Sequence, residues 1–265
     1  MRIDFHTHGK LAKQLPFSTV YTDWLFAQAK SAGLDAICLT EHFNTLQFDE
    51  LYRYIASVSR RAGDCLELEN GLRIFPGMET DVAECGHILS VGPLEAILEL
   101  NRRLAPYKAK GSFLPFAQLM DLFDQYPVTV GCGHPFRAPG HVPEQPVEQL
   151  KRLSFLDLNG KDIALDRART ERLTYALAEK LELPVISGSD THQAVQYGCV
   201  TTVFEREVDT VPALYGEMTA GRYAIDLSDT AAFQVRTACL LKRSLKEIHA
   251  LGGDYVAILT REATA

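Results

Sequence analysis

Of the 265 residues only one is tryptophan, and Lys and Arg (27) are outnumbered by Asp and Glu (34), for a formal charge of −7. Tight non-specific binding to a nucleic-acid backbone normally needs a basic surface, so this balance argues for a small substrate and against long nucleic acid. Lys10 and Lys13 on one side, and Arg102, Arg103, Lys108 and Lys110 on the other, are the small basic groups that depart from it. No apolar run approaches the roughly 18 residues that span a bilayer, so no membrane association is expected. The opening Met1-Arg-Ile-Asp-Phe-His6 lacks a basic stretch followed by an apolar one, so no secretory signal is read there. The six cysteines are scattered without a C-x-x-C pair, which fits free thiols in a reducing cytoplasm better than a disulfide framework or a zinc knuckle. No low-complexity or Pro/Gly/Ser-rich linker divides the chain, and the 46% hydrophobic content is ample for a core.

What is present is a regular alternation of short apolar runs with amphipathic stretches. Strands are expected at Arg2–Phe5, Asp35–Thr40, Leu72–Phe75, Ile88–Val91, Val128–Cys132, Phe155–Leu158, Pro184–Ser187 and Val200–Phe204. Helices are expected at Thr22–Ala32, Phe48–Ala62, Phe116–Gln125, Asp166–Leu181, Val211–Ala220 and Phe233–Ala250, with a turn at Pro76-Gly77. Strands that alternate with helices imply an α/β fold, and about seven such units suggest a closed or nearly closed parallel β/α barrel as one domain. Residues 231–265 read as a helical extension packed on it.

Histidines and acids gather where these strands end. His6 and His8 follow the first strand, His42 the second, and Glu79 the third; His87 and His134 flank later strands, and Asp190 and His192 close the set. In a barrel of parallel strands those ends meet on one face. Residues two apart in an extended segment point the same way, so His6/His8 and Asp190/His192 can each address one ion. Imidazole and carboxylate donors suit Zn, Mn or Fe, and eight ligands exceed the needs of a single tetrahedral ion. His141 and His249 lie in a Pro-rich loop and the last helix, and are read as surface residues.

The segments Asp4-Phe-His6-Thr-His8, Thr40-Glu-His42, Pro76-Gly-Met-Glu79, Gly86-His87-Ile-Leu, Gly133-His134-Pro135 and Gly188-Ser-Asp190-Thr-His192 together resemble the PHP (polymerase and histidinol phosphatase) superfamily. The resemblance spans residues 4 to 192 and implies a distorted seven-stranded β/α barrel holding two or three divalent ions. It implies a first ion on His6, His8, Glu79 and Asp190, a second on Glu79, His87 and His134, and a third on His42 and His192. The loop Gly9–Pro16 lacks the further Asp or His that many members supply to the third site. Asp4 and Glu41 are read as supports, not ligands.

The implied activity is hydrolysis of a small phosphate ester, such as histidinol phosphate or a nucleotide, by a metal-activated hydroxide, with Glu79 and His192 in catalytic roles. Arg137 is the expected phosphate clamp, because its planar fork matches phosphate oxygens, and Lys10 and Lys13 are further candidates for binding substrate. Two other functions stay open at this point: an amidohydrolase-like enzyme cleaving a C–N or lactone bond, and a non-catalytic metal-binding domain. The sequence leaves the oligomeric state unknown.

Overall fold

The computed structural model describes residues 1–261. Its eleven strands are β1 (Arg2–Thr7), β2 (Ala36–Leu39), β3 (Ser59–Ala62), β4 (Cys65–Leu68), β5 (Arg73–Asp81), β6 (His87–Val91), β7 (Thr129–Gly133), β8 (Phe155–Asp157), β9 (Val185–Ile186), β10 (Val200–Phe204) and β11 (Tyr223–Leu227). They pair in the order β11-β10-β1-β2-β5-β6-β7-β8-β9, with the β3–β4 hairpin attached to β5. Beyond β9 the chain returns to β1: Phe5 N–H donates to the Ser187 carbonyl at 3.2 Å, and Thr7 bridges Thr191 in parallel. The sheet is thereby a nearly closed α/β barrel.

Alternation sorts the strand side chains into two apolar layers. Ile37, Leu39, Ile74, Ile88, Val130, Leu156 and Val185 pack with the helices in the larger cluster. Their neighbours of opposite parity, among them Ile3, Phe5, Phe75, Leu89, Phe155, Ile186 and Phe204, form a second cluster that joins the strands to each other. Phe5 is central to it, with ring centroids 6.0 Å from Phe155 and 5.9 Å from Phe204.

Three departures from the sequence expectations have local causes. The sheet is mixed and not all-parallel, because β6 runs antiparallel to both β5 and β7, and β10 antiparallel to β1. Pro76-Gly77 is no turn but the middle of β5, where the strand leaves β2 for β6. Pro76 has no N–H to offer, and the Gly77 N–H donates to the Tyr52 hydroxyl at 3.2 Å. A side chain at 77 would also strike the Ser90 carbonyl at 2.6 Å. The helix expected over Phe48–Ala62 stops at Ser57, and 59–62 becomes the first arm of the hairpin, turned at Gly63 with φ +62°. In the 231–265 extension, Ala231–Ala250 and Tyr255–Thr260 are helical; the first packs on the helix Gly160–Leu181. Residues 262–265 lie outside the described residues. No helix among the described residues is long and apolar enough to cross a membrane.

Barrel closure depends on Gly188. A methyl group there would lie 2.2 Å from the His6 Cβ and 2.6 Å from its backbone nitrogen. Gly216, inside the helix Val211–Thr219, has nothing within 4 Å of the same position. Gly188→Ala is therefore expected to destabilise the fold by about 1–3 kcal/mol or more through overpacking. Gly216→Ala is expected to stabilise it by roughly 0.5–1 kcal/mol by restricting the unfolded chain. Urea unfolding of both variants checks the opposite signs.

Candidate metal centre

The barrel brings all eight expected ligands together. His6 closes β1 and His8 follows it; a register shift between Asp4 and Thr7 breaks the alternation there and re-aims both rings. His42 follows β2 and bridges to Glu79, the seventh residue of β5. His87 opens β6, and because β6 is antiparallel its start lies beside the end of β5. His134 follows β7 at φ +32°, and Asp190 follows β9 at φ +57°. Two non-glycine residues in the left-handed region at such positions are strain that the surrounding contacts hold in place.

Glu79, 1% exposed, is the hub. Its Oε1 lies 2.5 Å from His87 Nδ1 and 3.3 Å from both His6 Nε2 and His134 Nε2. Its Oε2 lies 2.8 Å from His42 Nδ1 and 3.5 Å from His8 Nε2. Three groups of ligand atoms lie close enough to share an ion: His6/His8/Asp190, Glu79/His87/His134 and His8/His42/His192. His8 belongs to two of these groups and its Nε2 can serve only one ion, which leaves His42 and His192 as the third group's own ligands.

The donor set fits divalent metal. His6 Nε2, both His8 nitrogens, His42 Nδ1, Glu79 Oε2 and His192 Nε2 are buried without a hydrogen-bond partner. Buried polar atoms normally have partners, and six orphans converging on one spot mark a place where cations supply them. Behind them a second ring of acids fixes the rings. Asp157 faces His6 Nδ1 at 3.0 Å, Asp81 faces His87 Nε2 at 3.0 Å, and Glu41 faces His8 Nδ1 at 3.8 Å. Asp4 supports the backbone instead: it accepts from Ser189 N–H at 2.8 Å and His6 N–H at 3.2 Å, and burial pushes its carboxyl up to about 7.

Sequence reasoning missed Asp81, Asp157 and Lys161. Asp81 was visible in principle, two residues beyond Glu79 on the same strand, and Asp157 is itself a strand-end acid. Lys161 Nζ lies 2.8 Å from Asp190 Oδ1, a pairing no spacing rule reveals.

Two expected substrate contacts are committed elsewhere. Arg137 donates to Asp162 (2.9 Å), Asp190 (2.8 Å) and Asn159 (2.7 Å), so its fork orients Asp190 and is not open to clamp a phosphate. Lys10 is 2% exposed and donates to the Leu46 carbonyl at 2.5 Å. Lys13 sits 3.9 Å from Asp81, at the His87 side of the centre.

Charge in the metal-free centre is uneven. Burial alone would raise Glu79, but His87, His42 and His6 hold it well below the usual carboxylate range. Burial opposes a charge on His87, yet Glu79 and Asp81 raise it to about 10. Burial, helped by the Arg137 charge, depresses His134 to about 4. The folded His87 pKa thus exceeds its ordinary value near 6.5, so its ion pairs stabilise the metal-free fold below that pH and fade as pH rises through about 10. A metal must displace that proton. Metal affinity is expected to rise by about tenfold per pH unit for each proton displaced. Titration calorimetry of the metal-free protein at pH 7 and 9, in buffers of different ionisation heat, measures both the affinity and the proton release.

Comparison with solved structures finds the same fold elsewhere. PsfC from Pseudomonas syringae PB-5123 superposes with a TM-score of 0.75 at 23% identity, over 92% of this chain and 98% of that one. The lesion-specific endonuclease EndoQ from Pyrococcus furiosus superposes at 0.62 with 15% identity, over 85% of this chain and 58% of that one. An Endonuclease Q complex with a 27-mer duplex substrate, an abasic lesion at its active site, gives 0.61 and 15%, over 83% and 56%. No curated protein sequence matches. The Endonuclease Q complex overturns the expectation of a small phosphorylated substrate and no long nucleic acid, because a chain of this fold is seen there on duplex DNA. Net charge sums the whole surface and says little about the walls of one cleft. The PHP-associated family model matches residues 169–223, a stretch that includes Asp190 and His192. With the barrel and the six signatures in chain order, that match makes the chain similar to the PHP superfamily over its fold and over this stretch.

Proposed function

We propose that the chain is a metal-dependent phosphoesterase whose substrate is a phosphodiester in a nucleic-acid strand. The observation that carries the reading is Glu79, a buried carboxylate with each oxygen facing a different set of imidazoles. In this reading His6, His8, Glu79 and Asp190 would hold one ion, Glu79, His87 and His134 a second, and His42 and His192 a third. Divalent ions there supply Lewis acidity that activates water and neutralises phosphate oxygens. The mixed nitrogen and oxygen donors suit Zn, Mn or Fe.

The chain's own residues set the geometry. Asp157 and Asp81 fix the tautomers of His6 and His87, leaving His6 Nε2 and His87 Nδ1 turned to Glu79. Arg137 and Lys161 hold the two oxygens of Asp190 from opposite sides. His192 is kept well below its usual pKa by burial, with the charges of His8, Lys242 and Lys161 adding to it, and His42 is lowered first by burial as well. Both are suited to ligation in the neutral form rather than to donating a proton, so His192 is assigned to a metal and not to the leaving group. The helix Ala231–Ala250 completes one wall of the same catalytic unit. The nucleic-acid strand is supported by the likeness to Endonuclease Q, which was captured in complex with a duplex substrate.

Protein purified without chelator is assayed for metal content and for hydrolysis of bis(p-nitrophenyl) phosphate, oligonucleotides, simple amides and lactones. Phosphodiester cleavage that chelator abolishes is the expected outcome; turnover of only amides or lactones overturns the phosphoesterase assignment. Asp157→Asn is expected to lower activity or metal affinity by about 10–100-fold, and Glu79→Gln by more than about 100-fold, with the far-ultraviolet spectrum unchanged. Full turnover by Glu79→Gln rules out its place between ions.

A further inference from the structure

Beside the metal centre lies a pocket of about 340 Å3 with no role in the chemistry so far described. Its walls are the start of the helix Gly160–Leu181, the segment after β9, and one face of the helix Ala231–Ala250. Cys239, Lys242, Arg243 and Lys246 recur at helical spacing, so all four line that face. Lys161 and His192 form the wall shared with the centre: Lys161 touches Asp190, and His192 belongs to the third ligand group.

Charge in this pocket is one-sided. No carboxylate lines it, and among the described residues Lys242, Arg243 and Lys246 take part in no ion pair. A protein with seven excess negative charges thus keeps four cations together at its metal centre. Burial, and then the neighbouring Lys161, lower Lys242 to about 8, against the more distant pull of Asp190 and Glu41. Grouped cations without acids are unfavourable in the free protein and become favourable when an anion enters.

We propose that this pocket is a second phosphate subsite, which receives the phosphate next to the scissile one along a nucleic-acid strand. The assignment rests on the phosphoesterase reading for the scissile phosphate, but the pocket's strand-binding role is measurable without turnover. Lys242 and Lys246, one helical turn apart, hold the phosphate as point charges, and Arg243 and Gln196 border it.

The test is fluorescence anisotropy of a labelled decathymidylate with protein purified without chelator, across a salt series. Lys242→Gln with Lys246→Gln is expected to weaken binding about tenfold and to make the salt slope shallower by about 0.7 per lysine removed. Lys180→Gln with Lys151→Gln serves as the matched two-charge control and is expected to bind like the parent; Lys180 is exposed at the far end of the helix Gly160–Leu181, and the exposed Lys151 pairs with Glu182 just beyond it. Thermal unfolding confirms that each variant is folded. In steady state the double variant is expected to raise KM for the oligonucleotide more than for bis(p-nitrophenyl) phosphate, which has no second phosphate. Equal binding and equal salt slopes in the parent and the double variant overturn the subsite. Lysine-dependent binding without cleavage of any phosphodiester supports the subsite and counts against the phosphoesterase reading alone.

Discussion

Everything at the mouth of this barrel turns on one costly arrangement: a carboxylate with almost no solvent contact, ringed by imidazoles. Glu79 has five histidine nitrogens within 3.5 Å, and six ligand atoms around it lack any hydrogen-bond partner. Without cations such a cluster must borrow protons, as the raised His6 and His87 and the depressed Glu79 show. Those protons only partly satisfy it, since His134, His42 and His192 are driven to their neutral forms by the same burial. Divalent ions resolve the conflict for all of them at once, because a neutral imidazole and an ionised carboxylate are the forms a metal takes.

Holding the cluster together requires a backbone that ordinary strand geometry does not give. The register shift in β1 re-aims His6 and His8, while His134 and Asp190 sit in the left-handed region immediately after β7 and β9. Gly188 lets the strand after β9 press against His6 closely enough to close the barrel. Each is an irregularity near a strand end, and together they turn residues from three strands inward. Behind them, Asp157 ties three segments together: it faces His6 Nδ1, and its two oxygens also accept from the backbone N–H groups of His134 and Gly188. A single carboxylate thereby couples closure of the barrel to the orientation of a ligand.

How much of this was legible in the sequence follows from the physics of each part. The convergence of the eight candidate ligands was, because a His or acid at the end of an apolar run has few structural reasons to be there, and eight of them in order have fewer. The barrel was legible in outline from alternation, but strand direction was not, since an apolar run reads the same whichever way it pairs. His87 shows why that did little harm: reversing β6 exchanges its ends, yet its first residue still abuts Glu79 across the ladder. Pro76-Gly77 carries strong turn chemistry and was misread because its reason lies in tertiary structure, in a strand changing partners beside the Tyr52 hydroxyl. Arg137 and Lys10 were misjudged for a related cause. A cation near a ligand in sequence looks available, and only the folded chain reveals Asp162, Asn159 or the Leu46 carbonyl already in place.

Net charge misled for a different reason, and the error is instructive about where specificity resides. Many of the acidic residues lie on the outer surface, some in pairs such as Arg60–Glu67, Arg152–Asp124 and Arg167–Glu171, where solvent and partner both screen them. The cations that face the centre come from segments more than eighty residues apart, Lys161 on one helix and Lys242, Arg243 and Lys246 on another, so no window of the sequence holds them together. A low-dielectric cleft focuses the field of those few groups, whereas the diffuse acidic surface contributes a weak and screened background. A phosphate approaching the mouth therefore meets local positive potential before it meets the charge of the whole. On the proposed function, the acidic shell would hold the rest of a long strand off the protein everywhere except at the cleft.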